Sequence, residues 1–419
     1  MSFQIAFHAA SSAAKFLSRP IIVLVTSFVL LLSYSAQPAA AYEIDDRVTI
    51  FGVLQSWVTI HEQMEDAKGL FQYPPDKDEA VDSASGFSIH RVRLGGDYWL
   101  IPKRLQLNGQ IKFEKPVGLL DINLRLRIAD WLNLRIGQFK TPGSYEAMQS
   151  AYGLDFVLRT TLATLMSDYS LSRTVHASSH FAGTRAYFRD AGIGLFGDID
   201  IVIGSVRYFG MIGNGLGNNL FIGGETKREF IITNGWQFLY AGRLELADLF
   251  DIVTIGGHAS YNKHDNMVLN SGRKVLDLDR TSWSADARIH IPFAFLDLAG
   301  VYGAGEIHED YDRDKRGDLD YSGWEVRALW DLSAFLGQFV PGSFLAANRF
   351  GIGCRFDRFD RAVNHANEHT IQDNWTAGIN YGYKDVARFQ LNYIWRKTRH
   401  PVDPDLADNV LLLNIQGKF

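Results

Sequence analysis

The chain has a single cysteine, Cys354, among 419 residues, so no internal disulfide framework can brace it. Proline is scarce, 11 residues against 38 glycines. That balance fits many strands joined by tight turns, because proline interrupts sheet ladders. Beyond residue 41 no apolar run approaches 18 residues, which excludes a transmembrane helix there. Positive charge is also in deficit. Setting aside Lys15 and Arg19 leaves 40 of the 42 Lys and Arg against 47 Asp and Glu, a formal charge of −7. A nucleic-acid partner is therefore not expected.

The one long apolar run lies near the start. Lys15 and Arg19 precede Ile21 to Leu32, which is too short to cross a bilayer as a helix, and Ala39-Ala40-Ala41 follows. This order predicts a secretion signal over 1–41 and a mature chain of 42–419. A secreted chain of this size without disulfides fits a Gram-negative envelope.

The rest of the chain alternates. In 105–114, Leu105, Leu107, Ile111 and Phe113 oppose Gln106, Asn108, Gln110, Lys112 and Glu114. In 283–291, Trp283, Ala285, Ala287, Ile289 and Ile291 oppose Ser284, Asp286, Arg288 and His290. Period-two patterning gives a sheet with two different faces. One face is rich in Arg, Asp, Gln and Asn, as a wet lumen requires. The other carries Trp and Tyr near strand ends, as aromatic girdles do. The reading is all-β: a transmembrane antiparallel barrel of about 16 strands, with long and short connections alternating. Long loops are expected at 61–86, 140–189, 214–235, 263–278, 305–320, 359–370 and 398–407. The last segment, Val410 to Phe419, ends on an apolar face with an aromatic residue. That ending resembles the sorting signal of outer-membrane barrels.

The alternation stops at Lys140 and resumes only near Arg189. The break opens with Gly137-Gln138-Phe139-Lys140-Thr141-Pro142-Gly143-Ser144-Tyr145-Glu146. Arg189-Asp190-Ala191-Gly192-Ile193-Gly194 and Gly213-Asn214-Gly215 follow. These stretches resemble the phosphate-selective porin O/P family, best over 85–230. The resemblance implies a sixteen-stranded, trimeric, pore-forming barrel whose third loop, here 140–189, folds into the channel. Family members that select phosphate are implied to use arginine ladders and lysine clusters. This chain departs from that pattern: it is acidic, and 140–189 holds five Lys and Arg against three Asp and Glu. The resemblance thus supports a porin, without phosphate selectivity.

Arginines recur on the polar face. Arg91, Arg93, Arg125, Arg127 and Arg135 outnumber the acids of the first five strands. With Lys140, Arg159 and Arg173 of the break they are the candidate pore-lining set, because cations ringing a pore favour anions. Elsewhere Arg243, Arg288, Arg327, Arg355 and Arg396 are expected to pair with acids such as Glu245, Asp286, Glu325 and Asp357. The expected partners are small hydrophilic or anionic solutes, outer-membrane lipid and like copies in a homotrimer. No cofactor or metal is expected. Asp310, Asp312 and Asp314 have calcium-loop spacing, but Lys315 and Tyr321 stand where an EF-hand needs Gly and Glu. His61, His258 and His290 show no metal spacing. Two alternatives remain at this point. One is a lipid-acting barrel hydrolase using His176, Ser178, Ser179 or His180. The other is a plugged surface-binding barrel.

Overall fold

The computed structural model describes residues 42–61, 85–114, 117–167, 188–215, 238–268, 274–311, 314–337, 339, 348–361, 369–399, 406–407 and 409–419. The expected leader, 1–41, lies outside them. Sixteen antiparallel strands form one closed sheet. They are β1 (Val48–His61), β2 (Gly86–Ile101), β3 (Leu105–Lys112), β4 (Gly118–Ala129), β5 (Leu132–Lys140), β6 (Arg189–Ile201), β7 (Gly204–Gly213) and β8 (Leu239–Leu249). The second half comprises β9 (Val253–Val268), β10 (Lys274–Ile291), β11 (Leu296–Tyr311), β12 (Asp314–Asp331), β13 (Asn348–Arg361), β14 (Thr370–Tyr383), β15 (Ala387–Arg399) and β16 (Val410–Lys418). Two short accessory strands, Tyr42–Asp45 and Leu406–Ala407, pair with β1 and β15.

Each strand pairs with its sequence neighbours. The seam is the exception, where β16 meets β1 in the register Val410↔His61 to Lys418↔Val53. The terminal residue completes this seam. Phe419 exchanges backbone hydrogen bonds with Gly52, and its ring covers the space a Cβ at Gly52 would take.

Alternation fixes the two faces. On β10, Trp283 and Ile289 are exposed while Ser284 and Asp286 are buried. An apolar side chain exposed in this way is stable only against lipid. Two rows of aromatic contacts mark the outer face. Towards the long connections, Trp324 meets Phe356, Phe356 meets Trp375, and Tyr393 meets Trp395. Towards the short turns, Phe335 meets Phe295, Trp330 and Phe339.

Two expectations change. Residues 263–278 and 305–320 are not long loops. They are largely strand, extending the β9–β10 and β11–β12 hairpins, with registers such as Asn262↔Arg280 and Ile307↔Leu319. Beyond the membrane both faces are polar, so the alternation that reveals a strand fades there while the ladder continues. Between β5 and β6, the described residues carry two short helices, α1 (Tyr145–Met148) and α2 (Thr161–Ser167). The long connection after β12 opens with helix α3 (Leu332–Gly337).

Candidate functional site

The break at Lys140 begins inside a strand. Gly137 has φ +126, and a Cβ there would lie 2.3 Å from the Ile122 carbonyl oxygen. Only glycine fits that left-handed, backbone-crowded position. Gly137→Ala is expected to cost about 2 kcal/mol or more, read as a lower melting temperature of the purified barrel. Phe139 then turns under Arg135, whose guanidinium also stacks on Phe196, 4.6 Å from the ring centre. Lys140 pairs with Arg189 across the ladder, and the Thr141 N–H donates to the Phe188 carbonyl. These contacts pin both ends of the excursion at one neck. Gly143, after Pro142, has no positive φ. Its value is close approach, since a Cβ would meet Ser167 Oγ at 2.5 Å. The Arg189-Asp190 and Asn214-Gly215 elements meet as well. The Asp190 carboxylate accepts the Gly215 N–H, and Asn262 Nδ2 donates to the Gly215 carbonyl.

Residues 143–161 are held by polar side chains of distant strands. Arg243 donates to the Gly143 carbonyl, and Arg388 and Gln416 to that of Tyr152. Gln390 donates to the Leu154 carbonyl and Asn380 to that of Asp155. The Val157 N–H donates to Asn392 Oδ1 at 2.6 Å. Each otherwise orphaned backbone group thus finds a partner away from any regular element, as burial demands. Glu146 is the central tie. Its carboxylate accepts the N–H and hydroxyl of Thr160 and lies 3.0 Å from Arg355 Nη1. Both side chains of that ion pair are about 97% buried or more, at 3% and 2% exposure.

Apolar contacts add to the polar ones. Val157 and Leu158 cluster with Trp57, Ile394, Val410 and Leu412. Leu162 and Met166 cluster with Ile307, Tyr321 and Phe359. The barrel partners stand on an otherwise polar face. The sequence reading missed them, although each apolar residue breaking that face was a visible signal.

Two populations of cations result. In β8–β13 the arginines are paired as expected: Arg243 with Asp286 and Glu245, Arg288 with Glu245, and Arg355 with Asp357. Arg327 takes Asp155 of the excursion at 3.3 Å, and Tyr145 lies beneath both Arg288 and Arg327. Around the neck the balance differs. Arg91 donates to Gln55 Oε1 and lies within electrostatic reach of Arg93, Arg159 and Arg189. Lys140 and Arg159 both donate to the Gln149 carbonyl. The nearby acids are Glu114 on Arg93, Asp121 on Arg189 and Glu146 near Arg159. Burial, joined by the Arg189 and Arg93 charges and opposed by Glu146, lowers the Arg159 pKa to about 10, so it stays charged at neutral pH.

The candidate residues therefore separate. Arg91, Arg93, Lys140 and Arg159 converge at the neck. Arg125 and Arg135 stack on Phe196 in the neighbouring wall. Arg127 is exposed beside Asp130 at the short-turn end and joins neither group. Arg173, His176, Ser178, Ser179 and His180 lie outside the described residues.

Residues 257–419 match the family model Phosphate-selective porin O and P. The fold is shared with solved outer-membrane proteins at low identity. In vitro folded OmpT, an outer membrane protein of Vibrio cholerae, is 12% identical, with a TM-score of 0.52 over 91% of this chain and 100% of that one. The anion-selective porin from Comamonas acidovorans is 12% identical, with a TM-score of 0.54 over 89% and 99%. OmpF of Salmonella typhi, in complex with daunomycin, is 12% identical, with a TM-score of 0.52 over 90% and 99%. No curated protein matches the chain in sequence.

Proposed function

We propose that this barrel, a porin of the outer membrane whose residues 257–419 carry the signature of phosphate-selective porin O and P, conducts small hydrophilic solutes passively and leans towards anions. The observation that supports this reading is the anchoring of 141–167. Its carbonyls and Glu146 are held by polar-face side chains of β1, β8 and β13–β16, far around the sheet from the strand it leaves. A segment tied in that way narrows the channel from within. The cations Arg91, Arg93, Lys140, Arg159 and Arg189 then border the narrowing and exceed Glu114, Asp121 and Glu146. Such a surplus attracts anions electrostatically. Arg173, outside the described residues, is kept in this reading as a candidate pore charge from the sequence alone. The likeness to an anion-selective porin of Comamonas acidovorans accords with it.

The working unit in this reading is a homotrimer, and an in vitro folded OmpT of similar fold is described in a trimer form. The chain acts as a channel, with no catalytic step. Planar-bilayer recordings in a KCl gradient test this. A reversal potential on the chloride side is the expected result. A potassium-selective reversal potential would remove the anion preference, and an absence of steps would remove the channel.

A further inference from the structure

The outer wall carries an uneven ring of charge just beyond its aromatic row. On β13–β15 the residues two positions past Phe356, Trp375 and Trp395 are Arg358, Asp373 and Lys397, and Arg399 follows. The register places them side by side: Arg358↔Asp373, Asp373↔Lys397 and Ile371↔Arg399. Asp373 receives Nε and Nη2 of Arg358 at 2.6 and 3.1 Å and also binds Arg399. One carboxylate thus clamps two guanidinium groups in fixed positions. Asp360, also nearby, adds a second negative charge to this sector. Both arginines stay more than a third exposed, at 35% and 38%. Arg399 Nε is enclosed without an acceptor. Farther out on the preceding strands, four to six residues past Trp283, Tyr302 and Trp324, the wall is acidic, with Asp277, Asp279, Glu306 and Asp318 around His308.

Aromatic girdles sit at head-group depth, so charges one step beyond them face lipid head groups. Arginine forks match phosphate oxygens, and basic clusters at this depth attract anionic lipid. We propose that Arg358 and Arg399, with Lys397, bind the phosphate of an anionic lipid head group in the leaflet on the long-connection side. Asp373 preorganises the pair. The proposal rests on the membrane-barrel reading but not on the anion preference of the channel.

The test uses the full barrel in detergent, native mass spectrometry and a diphosphorylated glycolipid. Its dephosphorylated form and inorganic phosphate are the comparison arms. The wild type is expected to retain the phosphorylated lipid, and R358Q/R399Q to bind it at least about tenfold more weakly. R349Q/K384Q removes the same charge from the short-turn rim and is expected to bind as the wild type does. Equal loss in both variants, equal retention of the dephosphorylated lipid, or saturation by inorganic phosphate alone would overturn the site. Loss of the oligomer in R358Q/R399Q with lipid binding intact would assign the patch to a neighbouring copy instead. Bilayer conductance of R358Q/R399Q, expected unchanged, separates failure of this site from failure of the channel.

Discussion

Glu146→Ala is expected to lower stability by about 3 kcal/mol and to give larger, noisier single-channel steps. The reason is the burial of its partners. Arg355 would keep Asp357 and the Leu158 carbonyl but lose its ion pair with the excursion, and the N–H and hydroxyl of Thr160 would lose their acceptor. Removing one member of a buried ion pair costs about 3–5 kcal/mol, because the other is left desolvated. The apolar clusters around Val157 and Leu162 remain, so the segment should loosen at its middle and stay attached at its flanks. Glu146→Gln keeps an acceptor for Thr160 and is expected to be intermediate. Thermal unfolding and bilayer recordings check both. Wild-type noise in the alanine variant would show that 141–167 does not depend on this tie.

Lys140→Gln with Arg159→Gln is expected to cut the ratio of anion to cation permeability by about twofold or more at low salt. Both side chains also donate to the Gln149 carbonyl, and glutamine preserves a donor while removing the charge. The effect should shrink in 1 M salt, where the Debye length falls to about 3 Å. In the wild type, the contribution of Arg159 is constant through neutral pH. It should be lost as pH rises through about 10, because the group is cationic below its lowered pKa and neutral above it. Reversal potentials across a pH series measure this. An unchanged ratio in the double variant would place these charges away from the ion path.

Much of the barrel was legible because lipid on one side and water on the other impose a period of two. Strands such as 105–112 and 283–291 carry it almost without exception. Turns were found by rhythm rather than by chemistry: Phe250, Asp251, Phe295 and Asp385 adopt left-handed angles where glycine or asparagine would be the usual marker. The extended hairpins at 263–278 and 305–320 were hidden because water meets both faces there. At the site, the cations were visible but their grouping was not. Arg93 and Arg127 look alike in sequence, yet one stands at the neck and the other at the opposite rim. Glu146 counted only as an offsetting charge, since its partners Thr160 and Arg355 come from positions that spacing cannot connect. The apolar anchors Ile394, Leu412 and Phe359 were the most informative omission. An apolar residue on a wet face needs something to cover it.

The seam between β16 and β1 also sets an order of events in time. Every other pair of strands forms between segments adjacent along the chain, so hairpins can accumulate locally and quickly. The Val410↔His61 register joins opposite ends, and it forms only after everything between has been laid down. Until then β1 presents an unpaired edge, the state in which strands recruit foreign partners. Closure by Phe419 on Gly52 is therefore expected late in assembly, and the β1 edge stays open to foreign strands until it occurs.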